Sequence, residues 1–438
     1  MTMKDQVMTR EATNSPGLRL PWAGRTVQLE SVEEELAFLW KMSGDNMRTG
    51  QNTNVRTSIL NLIICAPDIE SAQRASALLR HLSSTHLARV TVLVLDRSSN
   101  APAALTTWIT LRCFSVISDI MRHCFEQTTL LVSGSAIRSI ANIVQPLLKA
   151  HLPVYLWWLG DPPDNETIFN DLVELSNRVI VDSTTFFNPE QDLQTLASLS
   201  QAAPNSALSD LNWGRATPWR QLVAQFFDVV EYRPYLAGVN SIEIEHAAAP
   251  LATPTVTESG DVSPNPACAL LLAGWLKARL GWLLASDSSE NIHDTASGTY
   301  RWLMEGTASP RTTRTLGSPR VKTGKAGNAQ MASIDIRPQV QSQMRPGSIC
   351  LVRLVSNVEG KQATFTINRE GDPDHVLTSV ELSRETRPQR TVSLTAAQDT
   401  SELLHDELEI TGHDYLFEQT LQEVAELLGQ SLRNLSQE

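Results

Sequence analysis

The residues in this chain that could do chemistry are few and scattered. Ser133-Gly134-Ser135 lies between an apolar run and an amphipathic one, the form of a strand-to-helix turn. Free amides in such a turn can hold a phosphate, and an ordinary serine-capped turn has the same form. Gly160-Asp161-Pro162-Pro163 ends the run Leu152–Leu159 and puts Asp161 at a strand's carboxyl end. Ligands of open α/β sheets bind at such ends, but the two stiff prolines equally suit a fixed turn capped by Asp161. No Gly-rich phosphate loop with Lys is present, no dinucleotide fingerprint follows the strand ending at Ile64 and Cys65, and there is no His-Glu-x-x-His and no zinc-spaced cysteine pair. No catalytic residue, cofactor or metal is therefore assigned.

Cationic and thiol groups are the other candidates. Arg215 and Arg220 flank Thr217-Pro218, which reads as a helix start. An arginine near that positive end gains nothing from the helix dipole, so either an internal salt bridge or a partner holds it. Trp213 stands beside them. Arg311, Arg314, Arg320, Lys322 and Lys325 fall in a Gly/Ser/Thr-rich stretch, 306–333, without acidic residues. Such a stretch is either a solvated loop or a docking element for an acidic surface or a phosphorylated ligand. The five cysteines fit a reducing compartment with free thiols. If Thr106–Val132 is a hairpin turning at Ser118-Asp119, Cys113 and Cys124 come within disulfide reach, while Cys350 stands alone.

The elements that must position these groups alternate in the first half. The run 57–65, a helix over 70–82 and the run 89–95 form a βαβ unit whose strands are parallel and buried on both faces. Strands over 130–132, 154–158 and 179–181 and a helix over 135–149 extend it into an open, mostly parallel, Rossmann-like α/β sheet. The segment Thr106–Cys124 is ambiguous between hairpin and helix. Trp157 and Trp158 point to opposite faces of their strand, so one is core and the other is covered or exposed, and an exposed tryptophan is a candidate partner anchor.

Thr217, as N-cap before Pro218, opens a helix with Trp219, Leu222, Val223, Phe226, Phe227 and Val230 on one stripe. The apolar stretch 267–284 contains Lys277 and Arg279, costly in lipid, and reads as a buried helix started by Asn265-Pro266. Segments 331–338, 348–356, 363–368 and 375–382 suggest an antiparallel meander closed by a helix over 415–432. The expected division is a flexible terminus over 1–24, an α/β domain over 25–245, a linker over 246–264 and an α+β domain over 265–438, whose first helix could pack on the first domain.

At 438 residues the chain is long enough for two cores, and 42% hydrophobic residues can fill them. A net charge of −12 argues against nucleic acid and against an anionic membrane surface. Met1–Pro16 lacks the apolar core of a signal peptide, so a cytoplasmic location is expected.

Three ordered blocks carry a family resemblance: Leu152–Pro163 with Trp157-Trp158-Leu159-Gly160-Asp161-Pro162-Pro163, Asp210–Asp228 with Trp213-Gly214-Arg215 and Thr217-Pro218-Trp219-Arg220, and Leu271–Trp282 with Gly274-Trp275 and Gly281-Trp282. With them the chain resembles the glucose-6-phosphate dehydrogenase assembly proteins, the OpcA family, over residues 25–285. The resemblance implies a non-enzymatic partner that binds glucose-6-phosphate dehydrogenase and favours its assembled, active state in the oxidative pentose phosphate pathway. The rival class is a sugar-phosphate-binding enzyme or metabolite sensor using the first sheet's carboxyl edge. Photosynthetic members are associated with thioredoxin control through a carboxy-terminal cysteine pair. Cys350 is the only cysteine after Cys268, so the resemblance does not carry that control over.

Overall fold

The computed structural model describes residues 25–45, 53–55, 58–82, 88–98, 101–117, 121–163, 166–248, 265–285, 291–294, 298–306, 330–341, 343–369, 374–382, 385–386, 390–394 and 399–435. They separate into two units. The first holds residues up to Thr185 with Leu199–Leu211 and Asp399–His413, and the second holds Phe186–Ser198, Asn212–Gln398 and residues from Asp414 onward. Against the boundary expected at 246–264, the division falls near Leu211 and a late segment returns to the first unit.

The first sheet is built from β1 (Arg25–Val27), β2 (Thr53–Val55), β3 (Leu60–Ala66), β4 (Ala88–Asp96), β5 (Ala104–Ile117), β6 (Met121–Ser133), β7 (Val154–Trp158), β8 (Arg178–Val181) and β9 (Ala207–Asp210). Its order is β1-β5-β6-β4-β3-β7-β8-β9, with β2 on β6. From β6 to β9 all neighbours are parallel, as continuous apolar strands buried on both faces require. The ambiguous segment is a long antiparallel hairpin, β5 against β6. The helix expected over 135–149 is instead a chain of short pieces, 3₁₀ at Gly134–Ser139 and Gln145–Leu147 around a single α turn, because Pro146 lacks the amide a continuous helix needs.

The helices are α1 (Val32–Asp45), α2 (Ile69–Leu82), α3 (Ile140–Val144), α4 (Thr167–Glu174), α5 (Pro189–Ala202), α6 (Leu211–Arg215), α7 (Thr217–Phe226), α8 (Arg233–Leu236), α9 (Ala267–Leu280), α10 (Thr400–Glu409) and α11 (Tyr415–Leu435). None among the described residues is long and apolar enough to cross a membrane. α10 brings Leu403, Leu404 and Leu408 into the core made by α2, β3, β4 and Trp157. Arg178 fastens the same segment: it is 1% exposed and donates to Ser209, to Glu407 at 3.1 Å and to the Gly412 carbonyl.

The second sheet contains β10 (Val239–Ala248), β11 (Leu283–Leu284), β12 (Ile292–Asp294), β13 (Thr299–Gly306), β14 (Gln330–Val340), β15 (Ile349–Val358), β16 (Lys361–Asn368), β17 (His375–Leu382), β18 (Glu385–Thr386) and β19 (Arg390–Ser393). The meander β15-β16-β17 is present, but β10 is inserted between β14 and β15, parallel to the first and antiparallel to the second. β10 begins in the segment expected to belong to the first domain and ends in the expected linker. Its Ile242, Ile244 and His246 are buried in alternation, with a period of two.

α9 is buried all round from Ala267 to Lys277. Gly274 allows its close approach to α11, since a Cβ there would lie 2.6 Å from Val424 and 3.0 Å from the Thr420 carbonyl. Gly281 ends α9 in the left-handed conformation, φ +66°. Lys277, with a fully covered side chain, reaches Glu423 and Glu426 on α11.

The hairpin register makes Cys113 the direct cross-strand neighbour of Cys124, and Cys124 is disulfide-bonded. Cys65, Cys268 and Cys350 are buried thiols outside any disulfide, so the expectation that all five cysteines are reduced is corrected. Directly opposed residues of an antiparallel pair lie about 4.5–5.5 Å apart at Cα, inside the usual disulfide span. Ellman titration should find three thiols after denaturation without reductant and five after reduction. Five before reduction would contradict the bond.

Candidate functional site

In an open α/β sheet the ligand crevice lies at the carboxyl ends of the two strands where the winding changes direction, here β3 and β7. The loops that follow these strands meet each other. Leu159 N–H donates to the Cys65 carbonyl at 2.9 Å, and Gly160, at φ +88°, sits where a Cβ would be 4.0 Å from the Pro67 ring. A dinucleotide needs free amides and close backbone approach at the first turn of α2. That turn carries Asp68 instead. Its carboxylate accepts from Ser71 N–H at 2.7 Å and from the Ser71 hydroxyl at 3.0 Å, and Glu70 adds a second carboxylate, paired with Arg74 at 2.6 Å. A pyrophosphate would meet like charge where the amide is already taken, so these residues do not fit a dinucleotide.

The neighbouring groups are also internally committed. Asp96, at the end of β4, accepts from the Ser98 amide and hydroxyl, which hold its carboxyl below the usual range. Arg97 pairs with Glu166 at 3.0 Å. Burial pushes the Cys65 thiol far above its ordinary value, so it is not a nucleophile at neutral pH. NADPH or NADP⁺ at about 1 mM should leave the melting temperature unchanged, since a nucleotide bound well below that concentration would add a measurable RT ln(1 + [L]/Kd). A rise of several degrees would overturn the misfit.

The tryptophans are interior. Trp157 is 2% and Trp158 4% exposed, because β7 is covered on both faces; of the two alternatives for the second ring, covered rather than exposed is the one present, so neither is a partner anchor. Trp158 stacks edge-on against Phe169 and donates its indole N–H to the Asp161 carbonyl at 2.9 Å, fixing the Gly-Asp-Pro-Pro turn from beneath. Asp161 itself is at the surface.

Trp213 is likewise buried, 4% exposed. Its indole donates to Asp414 at 2.8 Å, and the other oxygen of Asp414 caps α11 through Leu416 and Phe417 N–H. The Arg220 guanidinium lies 3.2 Å above the Trp213 ring and donates to the Trp213 carbonyl at 2.9 Å and to Thr217 at 2.8 Å. Burial lowers the Arg220 pKa to about 10 against the opposing charge of Asp414, which leaves it protonated at neutral pH. Arg220 is thus held internally by a ring and two oxygens. Arg215 is half-buried at the end of α6. Thr217 is not an N-cap, because α6 already precedes α7 and Thr217 turns back toward the Trp213 carbonyl; α7 ends at Phe226, which leaves Val230 73% exposed rather than on the stripe.

The Ser133-Gly134-Ser135 turn cannot take an anion as drawn from sequence. A Cβ on Gly134, φ +58°, would lie 2.6 Å from the Ala101 carbonyl, and the Ser133 hydroxyl donates to the Pro102 carbonyl at 2.6 Å, so backbone already fills the turn. Cys350 is 0% exposed and burial pushes its thiol up to about 12. Arg311, Arg314, Arg320, Lys322 and Lys325 lie outside the described residues. Among the described residues no group of three His, Cys, Asp or Glu is placed to hold a metal ion.

Comparison with known proteins gives matches along both units. The family model for the N-terminal domain of the glucose-6-phosphate dehydrogenase subunit matches residues 80–198, and the model for the C-terminal domain of the same subunit matches residues 206–421. An OxPP cycle protein OpcA of Nostoc punctiforme is 36% identical over 168 residues, 38% of this chain and 32% of that protein. Its namesake from Synechocystis is 35% identical over 165 residues, 38% of this chain and 31% of the relative. The match thus spans about a third of the length of these relatives. Among solved structures, an NAD binding oxidoreductase from Klebsiella pneumoniae aligns with 86% of this chain and 97% of its own at 11% identity, with a TM-score of 0.44.

Proposed function

We propose that this chain, which belongs to the glucose-6-phosphate dehydrogenase assembly protein (OpcA) family, is a non-enzymatic effector that binds glucose-6-phosphate dehydrogenase and favours its assembled, active state in the cytoplasm. One observation carries the non-enzymatic part. The first turn of α2, where a sheet of this kind would bind a nucleotide's phosphates, is occupied by Asp68, whose carboxylate already takes the Ser71 amide. The groups nearest it, Asp96, Arg97 and Glu166, are paired with one another or with serine and leave no free acid, base or nucleophile poised there.

A binding partner raises activity only through differential affinity. It must bind the active state of the dehydrogenase more tightly than the inactive one, and the shift it produces cannot exceed that difference. The test is a rate measurement on the cognate dehydrogenase, at a concentration where its assembly is incomplete, with increasing amounts of this chain. The expected result is a saturable rise in NADPH production, with no production from this chain and substrate alone. Turnover by the chain alone, abolished by a point substitution in it, would overturn the proposal. Calorimetric titration with glucose 6-phosphate separates the sensor class, which requires saturable heat without the dehydrogenase.

A further inference from the structure

Along β13, β10, β16, β17 and the second half of β15, buried and half-exposed residues alternate, so one face of the second sheet is core and the other, among the described residues, is largely half-exposed. Strand register lines the residues of that second face up in rows, in which Asp335 and Leu351 are only 7% and 6% exposed. Arg301, Asp335, Glu243, Arg353, Thr366 and Ser379 form one row across six strands. Arg337, Glu245, Leu351, Asn368 and Leu377 form the next. On the other side run Leu303, Ser333, Ser241, Val355, Thr364 and Glu381.

The charges in the first two rows cancel, three arginines against three carboxylates, and most of them are already paired. Arg301 meets Asp335 at 2.5 Å, and Glu243 takes Arg353 at 2.6 Å and Arg337 at 3.3 Å. No lysine occurs in the three rows. Three large apolar side chains stand out at one end of the same face: Leu283, Ile292 and Met331 are 40%, 43% and 54% exposed, and register sets them beside Glu305 or Arg301.

We propose that this face is an isologous interface between two copies of the chain, stacked sheet on sheet about a two-fold axis. Charge points to a second copy as the occupant. Each chain carries −12 and repels its like over an acidic surface, whereas the two central rows are neutral and their arginines bring their own counter-ions. The carboxylates and serines of the three rows are of types that interfaces deplete, but the arginines, Met331 and the lack of lysine agree with an interface. So does area: six strands about 4.8 Å apart and several rows about 6.6 Å apart make a face of some 600 Å² before side-chain relief, near the roughly 800 Å² per partner that stable interfaces bury. Facing sheets of this kind settle about 10 Å apart with their side chains interdigitated, the two-fold pairing each patch with its own copy.

The test is sedimentation equilibrium of the full chain from about 1 to 100 μM, the range in which an interface worth roughly 6–8 kcal/mol reveals itself. The wild-type chain is expected at twice the chain mass. Leu303→Lys with Val355→Lys places four like charges in the stacked interface and should raise the dimer dissociation constant by on the order of 100-fold, with an unchanged circular dichroism spectrum. Val230→Lys, between Phe227 and Tyr232, which pack on Phe365 from the core side of the sheet, should leave the mass unchanged. A wild-type chain that is monomeric throughout, or a dimer that persists in the double variant, overturns the proposal. If the double variant fails to fold, Thr364→Cys decides. Its maleimide labelling should slow as concentration rises through the dimer range, and a concentration-independent rate overturns the interface.

Discussion

Arg178→Ala should cost the first unit about 3–5 kcal/mol, the usual penalty for removing one partner of a buried ion pair. Arg178 is 1% exposed, and Glu407, the carboxylate it would abandon, retains only 13% of its side-chain exposure. The guanidinium also satisfies the Ser209 hydroxyl and the Gly412 carbonyl, so its loss strands acceptors as well as a charge. Because Glu407 and Gly412 belong to the segment returning with α10, the damage should centre there. α10 would loosen from Leu79 and Trp157 before the parallel strands do. Arg178→Met, which keeps most of the volume, should cost less, while Glu407→Gln should cost about 1–2 kcal/mol because the amide still accepts. Urea unfolding with hydrogen exchange measures both the sum and its location. A loss below about 1 kcal/mol in Arg178→Ala, or loosening spread evenly over the sheet, would contradict this account of how α10 is fastened.

Lys277→Ala should cost the second unit about 3 kcal/mol for the same physical reason with the sign of the stranded charge reversed. The ammonium is fully covered and lies 3.2 Å from Glu426 while also touching Glu423. Removing it leaves two carboxylates three residues apart, 24% and 37% exposed, facing an apolar helix. Buried ion pairs seldom add stability over well-packed apolar residues of equal volume, so the triple change Lys277→Met, Glu423→Gln, Glu426→Gln should recover most of the loss. A triple variant as unstable as Lys277→Ala would show that packing of the lysine stem, rather than stranded charge, carries the effect. Gly274→Leu, by contrast, should have no charge-based rescue, since its Cβ collides with Val424 and the Thr420 carbonyl.

Much of this architecture is legible in the residues, for reasons that also explain what is not. β3, β4, β7 and β8 are continuous apolar runs, and a parallel strand buried on both faces can be written no other way. The same rule, applied once more, places Trp157 and Trp158 inside. Alternation along the strand alone leaves the second ring covered or exposed, and the burial of both faces selects covered. β10 was legible as well: Ser241-Ile242-Glu243-Ile244-Glu245 alternates with a period of two, but its carboxylates and its place before a Pro/Thr-rich stretch hide a central strand. Arg220 is held mostly by near neighbours, three and seven residues away, whereas Asp414, which receives the Trp213 indole, lies about two hundred residues further on and leaves no local trace. The return of α10 is equally non-local. Leu403, Leu404 and Leu408 mark an amphipathic helix without naming the sheet it covers.

The three family blocks follow the same logic. Trp158 holds the Gly-Asp-Pro-Pro turn, Trp213 with Arg220 locks α6 and α7 to the start of α11, and Gly274 with Lys277 seats α9 on α11. The tryptophans, Arg220, Gly274 and Lys277 of these blocks are structural, while Asp161 of the first block is at the surface. The central claim, that this chain acts by binding the dehydrogenase rather than by chemistry of its own, is tested most directly by sedimentation velocity of fluorescently labelled cognate glucose-6-phosphate dehydrogenase titrated with this chain. A saturable, faster-sedimenting complex at the concentrations that raise the dehydrogenase rate is the result predicted; an unchanged sedimentation boundary across that range would contradict it.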